Sequence, residues 1–100
     1  MRAAARQPAR VHAVASTDTT EPLRVVIGED DVLLRTRIVG VLTNAGFDVV
    51  DEAGDADDFL GKALTHRPDV AIVDIQMPPN HTDDGLQAAI ALRRRNRWPW

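Results

Sequence analysis

Three short apolar runs rich in β-branched residues alternate with three segments of helical periodicity between Leu23 and Arg95. The runs predict strands at residues 23–28, 47–50 and 69–75. Strands and helices that alternate at such short spacing predict a parallel sheet with right-handed crossovers and helices on both faces. The sequence therefore favours the α/β class, in the order β-α-β-α-β-α.

The three helices are predicted from apolar spacing and from residues typical of helix ends. Residues 32–45 carry apolar side chains at helical spacing, and an Asn-Ala-Gly sequence closes the segment. Asp55 can cap a second helix, which Pro68 ends. A polar loop at residues 76–84 precedes a third helix at residues 85–95.

Length, composition and charge exclude several function classes. One hundred residues without Cys make at most one small domain, with no disulfide scaffold, thiolate metal site or cysteine nucleophile. No apolar run approaches the roughly 20 residues that span a bilayer, and no signal core favours secretion, so a cytoplasmic protein is expected. Residues 23–92 carry a net charge of −8, between basic ends of +1 (residues 1–22) and +4 (residues 93–100). An acidic body of this kind does not favour nucleic-acid binding by the domain itself.

The chain divides into three parts. Residues 1–22 lack a sustained apolar period and are expected to form a disordered leader. Residues 23–92 hold all the predicted strands and the apolar part of all three helices. Residues 93–100 form a basic tail with four Arg and two Trp.

Acidic residues follow two of the predicted strands. Glu29, Asp30 and Asp31 come directly after the first strand, and Asp74 lies in the apolar third run. Ligands and reactive groups collect at the carboxyl ends of strands in open parallel sheets, so neighbouring strands would bring these carboxylates together. Such a cluster needs a cation or protonation, and hard oxygen ligands indicate Mg²⁺ or Mn²⁺. Helix capping explains one of Asp30 and Asp31, but it does not explain Asp74.

Four stretches carry a family resemblance: residues 24–35 (RVVIGEDDVLLR), 45–47 (AGF), 68–78 (PDVAIVDIQMP) and 84–86 (DGL). Together they resemble the first three-fifths of the receiver domain of bacterial response regulators. The resemblance implies a flavodoxin-like, doubly wound parallel sheet that is incomplete, with three of five βα units. The long loop at residues 77–85 resembles that of receivers in LuxR-type transcription factors.

The same resemblance implies a site and a role. Asp74 would be the phosphoacceptor, taking a phosphoryl group from a sensor histidine kinase in a two-component phosphorelay. Glu29, Asp30 and Asp74 would bind Mg²⁺ (or Mn²⁺), with a backbone carbonyl from Gln76, while Asp31 is left outside the metal site. The chain would then be a signalling module and not an enzyme.

Part of the family pattern has no counterpart after Leu92. The family continues with a strand that ends in Ser or Thr and a strand that ends in Lys, whereas Lys62, in the second helix, is the single lysine here. We therefore expect a receiver truncated after the third helix, with no DNA-binding domain and no membrane partner. The third strand would then be an exposed edge that favours self-association. His81 is expected to be a solvated loop residue.

Two other functions stay open from the sequence. One is a small Mg²⁺-dependent phosphotransferase or phosphatase with an aspartyl-phosphate intermediate, although position 76 is Gln where an Asp-x-Asp pattern needs a second acid. The other is a non-catalytic fragment that binds nucleic acid through the Arg/Trp tail, where guanidinium groups and indoles could stack on bases.

Overall fold

The structure, a computed structural model, describes residues 2–5 and 21–96. Within these residues it contains four strands and three helices: β1 (Arg2–Ala5), β2 (Arg24–Gly28), α1 (Val32–Asn44), β3 (Asp48–Ala53), α2 (Ala56–His66), β4 (Val70–Val73) and α3 (Asp84–Asn96).

The sheet has the strand order β1-β4-β2-β3. The strands β3, β2 and β4 are parallel, and β1 is antiparallel to β4. Gly28 at the end of β2 is level with Ala53 in β3 and Val73 in β4, so three parallel strands end at one edge. The predicted α/β fold with a parallel sheet is confirmed.

The core lies between the sheet and the pair α2 and α3. Val26 is fully buried there with Phe59, Met77 and Leu92. Val25 and Ile27 alternate with Val26 along β2 and therefore point to the opposite face, on which α1 packs. The helices thus cover both faces, α1 on one and α2 with α3 on the other.

Helix α1 keeps much of its apolar surface in contact with solvent. No residue of α1 is buried, and Leu33 and Val41 are 77% and 68% exposed. The apolar spacing predicts this helix correctly, but its apolar face remains largely open, because among the described elements it packs mainly on β2 and β3.

The helix ends agree with the sequence. The Asp31 side chain accepts a hydrogen bond from Leu34 N at 3.1 Å and caps α1. Asp55 caps α2 in the same way through Asp58 N, at 2.7 Å. Arg67 ends α2 in the left-handed conformation, with φ of 49°. The two Asp caps each satisfy an N–H that the helix itself leaves without a partner.

Two strands differ in length from the prediction. β3 continues beyond residue 50 to Ala53, because Asp51 and Glu52 stay level with Val26 and Ile27 in the sheet. Charged residues are not typical of a buried strand, so the sequence did not predict one here. They fit because β3 is the outermost strand of the sheet, where their side chains reach solvent. β4 is shorter than predicted and covers only Val70–Val73.

The leader predicted as disordered at residues 1–22 contains a strand. Arg2–Ala5 pairs with Val70–Val73, and its residues 6–20 lie outside the described part of the chain. Without β1, the edge of β4 would present unpaired N–H and C=O groups, and β1 provides their partners. The prediction that the third predicted strand is an exposed edge, open to self-association, is therefore wrong. The end of the Arg/Trp tail, residues 97–100, is also outside the described part.

Candidate functional site

Three carboxylates meet where β2 and β4 end. Asp74 N donates a hydrogen bond to Gly28 O at 2.9 Å, and Glu29 N donates one to Ala53 O at 2.9 Å. These two bonds hold the residues that follow β4 and β2 at the edge of the sheet. Carboxylate oxygens of Glu29, Asp30 and Asp74 all lie within 4.8 Å of one another. The structure thus brings together the three acidic residues that the sequence singles out.

Glu29 is the buried member of this acidic cluster, with 3% of its surface exposed. Burial raises its pKa above the ordinary value, and the nearby Asp30 and Asp74 carboxylates act in the same direction. The Asp31 N–H, 3.1 Å from Glu29 Oε2, opposes this shift by donating to the carboxylate. Among residues 21–95, no basic side chain forms an ion pair with Glu29. Within these residues, the negative charge of Glu29 is therefore not balanced by an ion pair.

Asp74 is half-buried and is held by its neighbours in the chain. Its Oδ1 accepts a hydrogen bond from Gln76 N at 3.2 Å, so Gln76 contacts Asp74 through its backbone. Gly85, the second residue of α3, lies directly against this turn, and its N–H donates to Ile75 O at 2.8 Å. A Cβ at Gly85 would overlap the Asp74 carbonyl oxygen, so only glycine permits this close approach.

Arg35 supports the cluster from α1. Its Nη1 donates to the Glu29 carbonyl oxygen at 2.6 Å, and its Nε lies 3.3 Å from Glu52 Oε1. The guanidinium therefore joins α1, the end of β2 and β3 without neutralising the carboxylates of the cluster. The sequence gives no signal for this role, since the contact depends on how α1 packs on the sheet.

His81 approaches the cluster from the loop before α3. Its Nε2 lies 3.4 Å from Asp30 Oδ2, while the side chain stays 57% exposed. The loop brings it there by a turn in which His81 N donates to Met77 O at 3.0 Å. His81 is solvated, as predicted, but its contact with Asp30 was not foreseen. Asp31 lies outside the cluster and acts as the α1 cap.

Lys62 lies away from the acidic cluster, in a separate network between α2 and β3. Its Nζ is 2.9 Å from Asp58 Oδ2, 3.6 Å from Asp51 Oδ1 and 2.6 Å from the Glu52 carbonyl oxygen. The hydrogen bond to Asp58 is the main reason that the pKa of Lys62 is raised. The single lysine of the chain is therefore engaged elsewhere.

The donor set of the cluster fits a hard divalent cation. It offers three carboxylates and neither thiolate nor imidazole within the group, which suits Mg²⁺ or Mn²⁺ better than Zn²⁺. The buried Glu29 carboxylate, without a basic partner in residues 21–95, is the observation that supports this fit. A cation there would stabilise the ionised form of Glu29, which burial and then the neighbouring carboxylates disfavour, so that the Glu29 pKa is raised.

Comparisons with known proteins agree with this geometry. The family model described as the response regulator receiver domain matches residues 25–99. The transcriptional regulatory protein PdtaR of Mycobacterium tuberculosis is 39% identical over 79 residues, which is 77% of this chain and 37% of PdtaR. The chain thus spans little more than a third of this curated relative.

Solved structures give the same fold. The signal receiver domain of NarL from Mycobacterium tuberculosis superposes with a TM-score of 0.68 at 39% identity, over 79% of this chain and 61% of that one. A CheX–CheY–BeF3–Mg²⁺ complex from Borrelia burgdorferi matches with a TM-score of 0.68 at 28% identity, over 82% of this chain and 60% of the solved one. In the described part of this chain, none of the helices has the length and hydropathy that a bilayer-crossing helix requires.

Proposed function

Because the chain belongs to the response regulator receiver domain family, we propose that Asp74 accepts a phosphoryl group from a histidine kinase. Receiver domains are signalling phosphoacceptors of two-component systems and not classical enzymes. The observation that carries the assignment to Asp74 is its place in the acidic cluster: it follows β4, is half-buried, and lies beside two further carboxylates.

Glu29, Asp30 and Asp74 are the residues that would hold Mg²⁺, with the Gln76 backbone carbonyl as a further ligand. The bound cation would screen the charge of the carboxylates from the incoming phosphoryl group. Glu29 is suited to this role because it is buried and fixed by the Asp31 N–H. Asp30 is half-buried, which leaves part of the cluster accessible to a partner.

The reaction at Asp74 is a nucleophilic displacement at phosphorus. A carboxylate oxygen forms the new P–O bond while the P–N bond to the donor imidazole breaks, and the product is an acyl phosphate. The Gln76 N–H donates to Asp74 Oδ1 and fixes the orientation of the carboxylate before attack. Lys62 is held by Asp58, so it does not compensate the charge of the transferred group, and slow transfer is expected.

The proposal is tested by labelling the whole chain with acetyl phosphate and with a purified histidine kinase, in the presence of Mg²⁺. Asp74→Asn removes the attacking oxygen and should abolish the acid-stable, base-labile label. Asp31→Asn is the matched control, because asparagine also caps helices well and Asp31 lies outside the cluster. Label that persists in Asp74→Asn, or disappears equally in Asp31→Asn, would contradict the assignment.

A further inference from the structure

A groove of about 330 Å³ lies between α2, α3 and the loop before α3, on residues that the phosphoacceptor site does not use. Its apolar lining consists of Ala56, Leu60, Ala88 and Ala91. The small alanine side chains leave the space open, and Leu60 provides a larger apolar surface. The groove therefore has room for the side chain of an occupant against an apolar lining.

The rim of this groove is acidic. Asp57, Asp83 and Asp84 line it together with the neutral Asn80, Thr82 and Gln87, and it has no basic lining residue. Asp57 and Asp84 lie in the first turns of α2 and α3, where the helix dipole favours negative charge. Among residues 21–95 none of the three rim carboxylates forms an ion pair with a basic side chain. An occupant should combine positive charge with apolar surface.

We propose that the groove binds the Arg/Trp tail, residues 97–100, of a second copy of this chain. The tail supplies both properties that the groove requires: Arg97 offers a cation to the acidic rim, and Trp98 and Trp100 offer indole surface to the apolar lining. The charge of the chain is divided in the same way, with −8 in residues 23–92 and +4 in residues 93–100. Two such chains would attract each other between tail and groove.

The backbone of the same chain's tail cannot reach the rim carboxylate Asp84, at the far end of the groove. The groove extends along α3 from Asp84 to Ala91, whereas the tail follows Asn96 at the other end of that helix. Asn96 lies twelve positions after Asp84, a distance of about 18 Å along the helix. Four extended residues reach at most about 14 Å, which is less than this distance. A second copy does not have this restriction, and two chains can exchange tails reciprocally in a closed dimer.

The experiment measures association of the full chain by sedimentation velocity and by tryptophan fluorescence over a wide concentration range. Trp98 and Trp100 are the only tryptophans, and the chain contains no Tyr, so emission reports on the tail alone. A concentration-dependent dimer with blue-shifted emission is expected, and added salt should weaken it because the contact includes charge pairs.

Asp57→Lys reverses a charge at the rim and should raise the dissociation constant about tenfold or more. Asp48→Lys makes the same charge change at the exposed start of β3, away from the groove, and should leave the constant unchanged. Arg97→Glu in the Asp57→Lys background should restore association, since the pair is exchanged. Trp100→Ala should weaken the dimer without altering residues that line the groove.

Several results would overturn the proposal. These are a monomer at every concentration, equal dissociation constants for Asp57→Lys and Asp48→Lys, or no rescue by the exchanged pair. A blue shift that requires an added oligonucleotide, with the chain still monomeric, would assign the tail to nucleic acid instead. Circular dichroism of each variant distinguishes loss of association from loss of folding. If the groove does not bind the tail, the labelling of Asp74 is unaffected, so the two proposals can be tested separately.

Discussion

Gly85→Ala tests the packing that holds Asp74 against α3. The added Cβ would overlap the Asp74 carbonyl oxygen and lie 2.8 Å from the Asp74 carbonyl carbon and 2.9 Å from Ile75 O. Contacts closer than 3.0 Å are essentially never seen for real Cβ atoms, and the neighbours here are backbone, so α3 would have to retreat. The retreat would also lengthen the hydrogen bond from Gly85 N to Ile75 O, now 2.8 Å.

The cost combines two effects. Overpacking a close contact costs about 1–3 kcal/mol, and a weakened backbone hydrogen bond costs about 0.5–1.5 kcal/mol. We therefore expect Gly85→Ala to lower the free energy of unfolding by about 3 kcal/mol. For a domain of this size that corresponds to a fall in Tm of roughly 12–24 °C.

Gly61→Ala is the matched control. Gly61 lies inside α2, and a Cβ there would have no atom within 4 Å. Replacing a helical glycine by alanine should stabilise the protein by about 0.5–1 kcal/mol. Urea unfolding followed by circular dichroism measures both variants, and Gly85→Ala with the stability of the wild type would refute the contact.

Two further predictions concern titratable groups. The pKa of Asp51 is lowered, first by the Glu52 N–H and then by His66 and Lys62, so Asp51 stabilises the fold above pH 3.8 and this contribution is lost as the pH falls through its folded pKa. In Asp51→Asn, Tm measured from pH 2 to 7 should therefore fall less steeply at low pH than in the wild type. An equally steep fall of Tm in the variant and the wild type would contradict this. The pKa of Glu29 is raised by burial, so without metal the free energy of unfolding should decline as the pH rises above 4.5. Glu29→Gln should therefore be more stable than the wild type at neutral pH. The same variant should lose any rise of Tm that Mg²⁺ causes in the wild type. A calorimetric scan with and without Mg²⁺ checks both parts, and a full Mg²⁺ response in Glu29→Gln would exclude Glu29 as a ligand.

Local signals in the sequence were sufficient for the main elements of the fold. Asp31 and Asp55 cap α1 and α2 through short contacts within one helical turn, and such contacts can be predicted from neighbouring residues. The sequence shows that Glu29 and Asp74 each follow a strand. If β2 and β4 are parallel neighbours, these two residues must lie close together at the same edge of the sheet. That pairing came from the resemblance and the topology rule, and the structure has it.

What sequence reasoning missed depends on contacts between distant segments. β1 pairs with residues almost 70 positions later, and no pattern within Arg2–Ala5 identifies that partner. The contact of His81 with Asp30 requires the path of a loop, and the position of Arg35 beside Glu29 requires the packing of α1 on the sheet. The solvent exposure of α1 was also missed, because a helical apolar spacing states which side chains share a face and not what covers that face.

The antiparallel orientation of β1 decides where the amino end of the chain emerges. Arg2 is level with Val73, and Ala5 is level with Val70, so the strand starts beside the edge of the sheet that carries Asp74. A sequence fused ahead of Arg2 would start beside the edge that carries Asp74, the residue proposed here as the phosphoacceptor. An affinity tag placed there would compete with the kinase proposed to dock at this edge, whereas a small spin or fluorescent label at the same place would report on binding at that edge. The choice of fusion site thus determines how accessible the sheet edge that carries Asp74 remains.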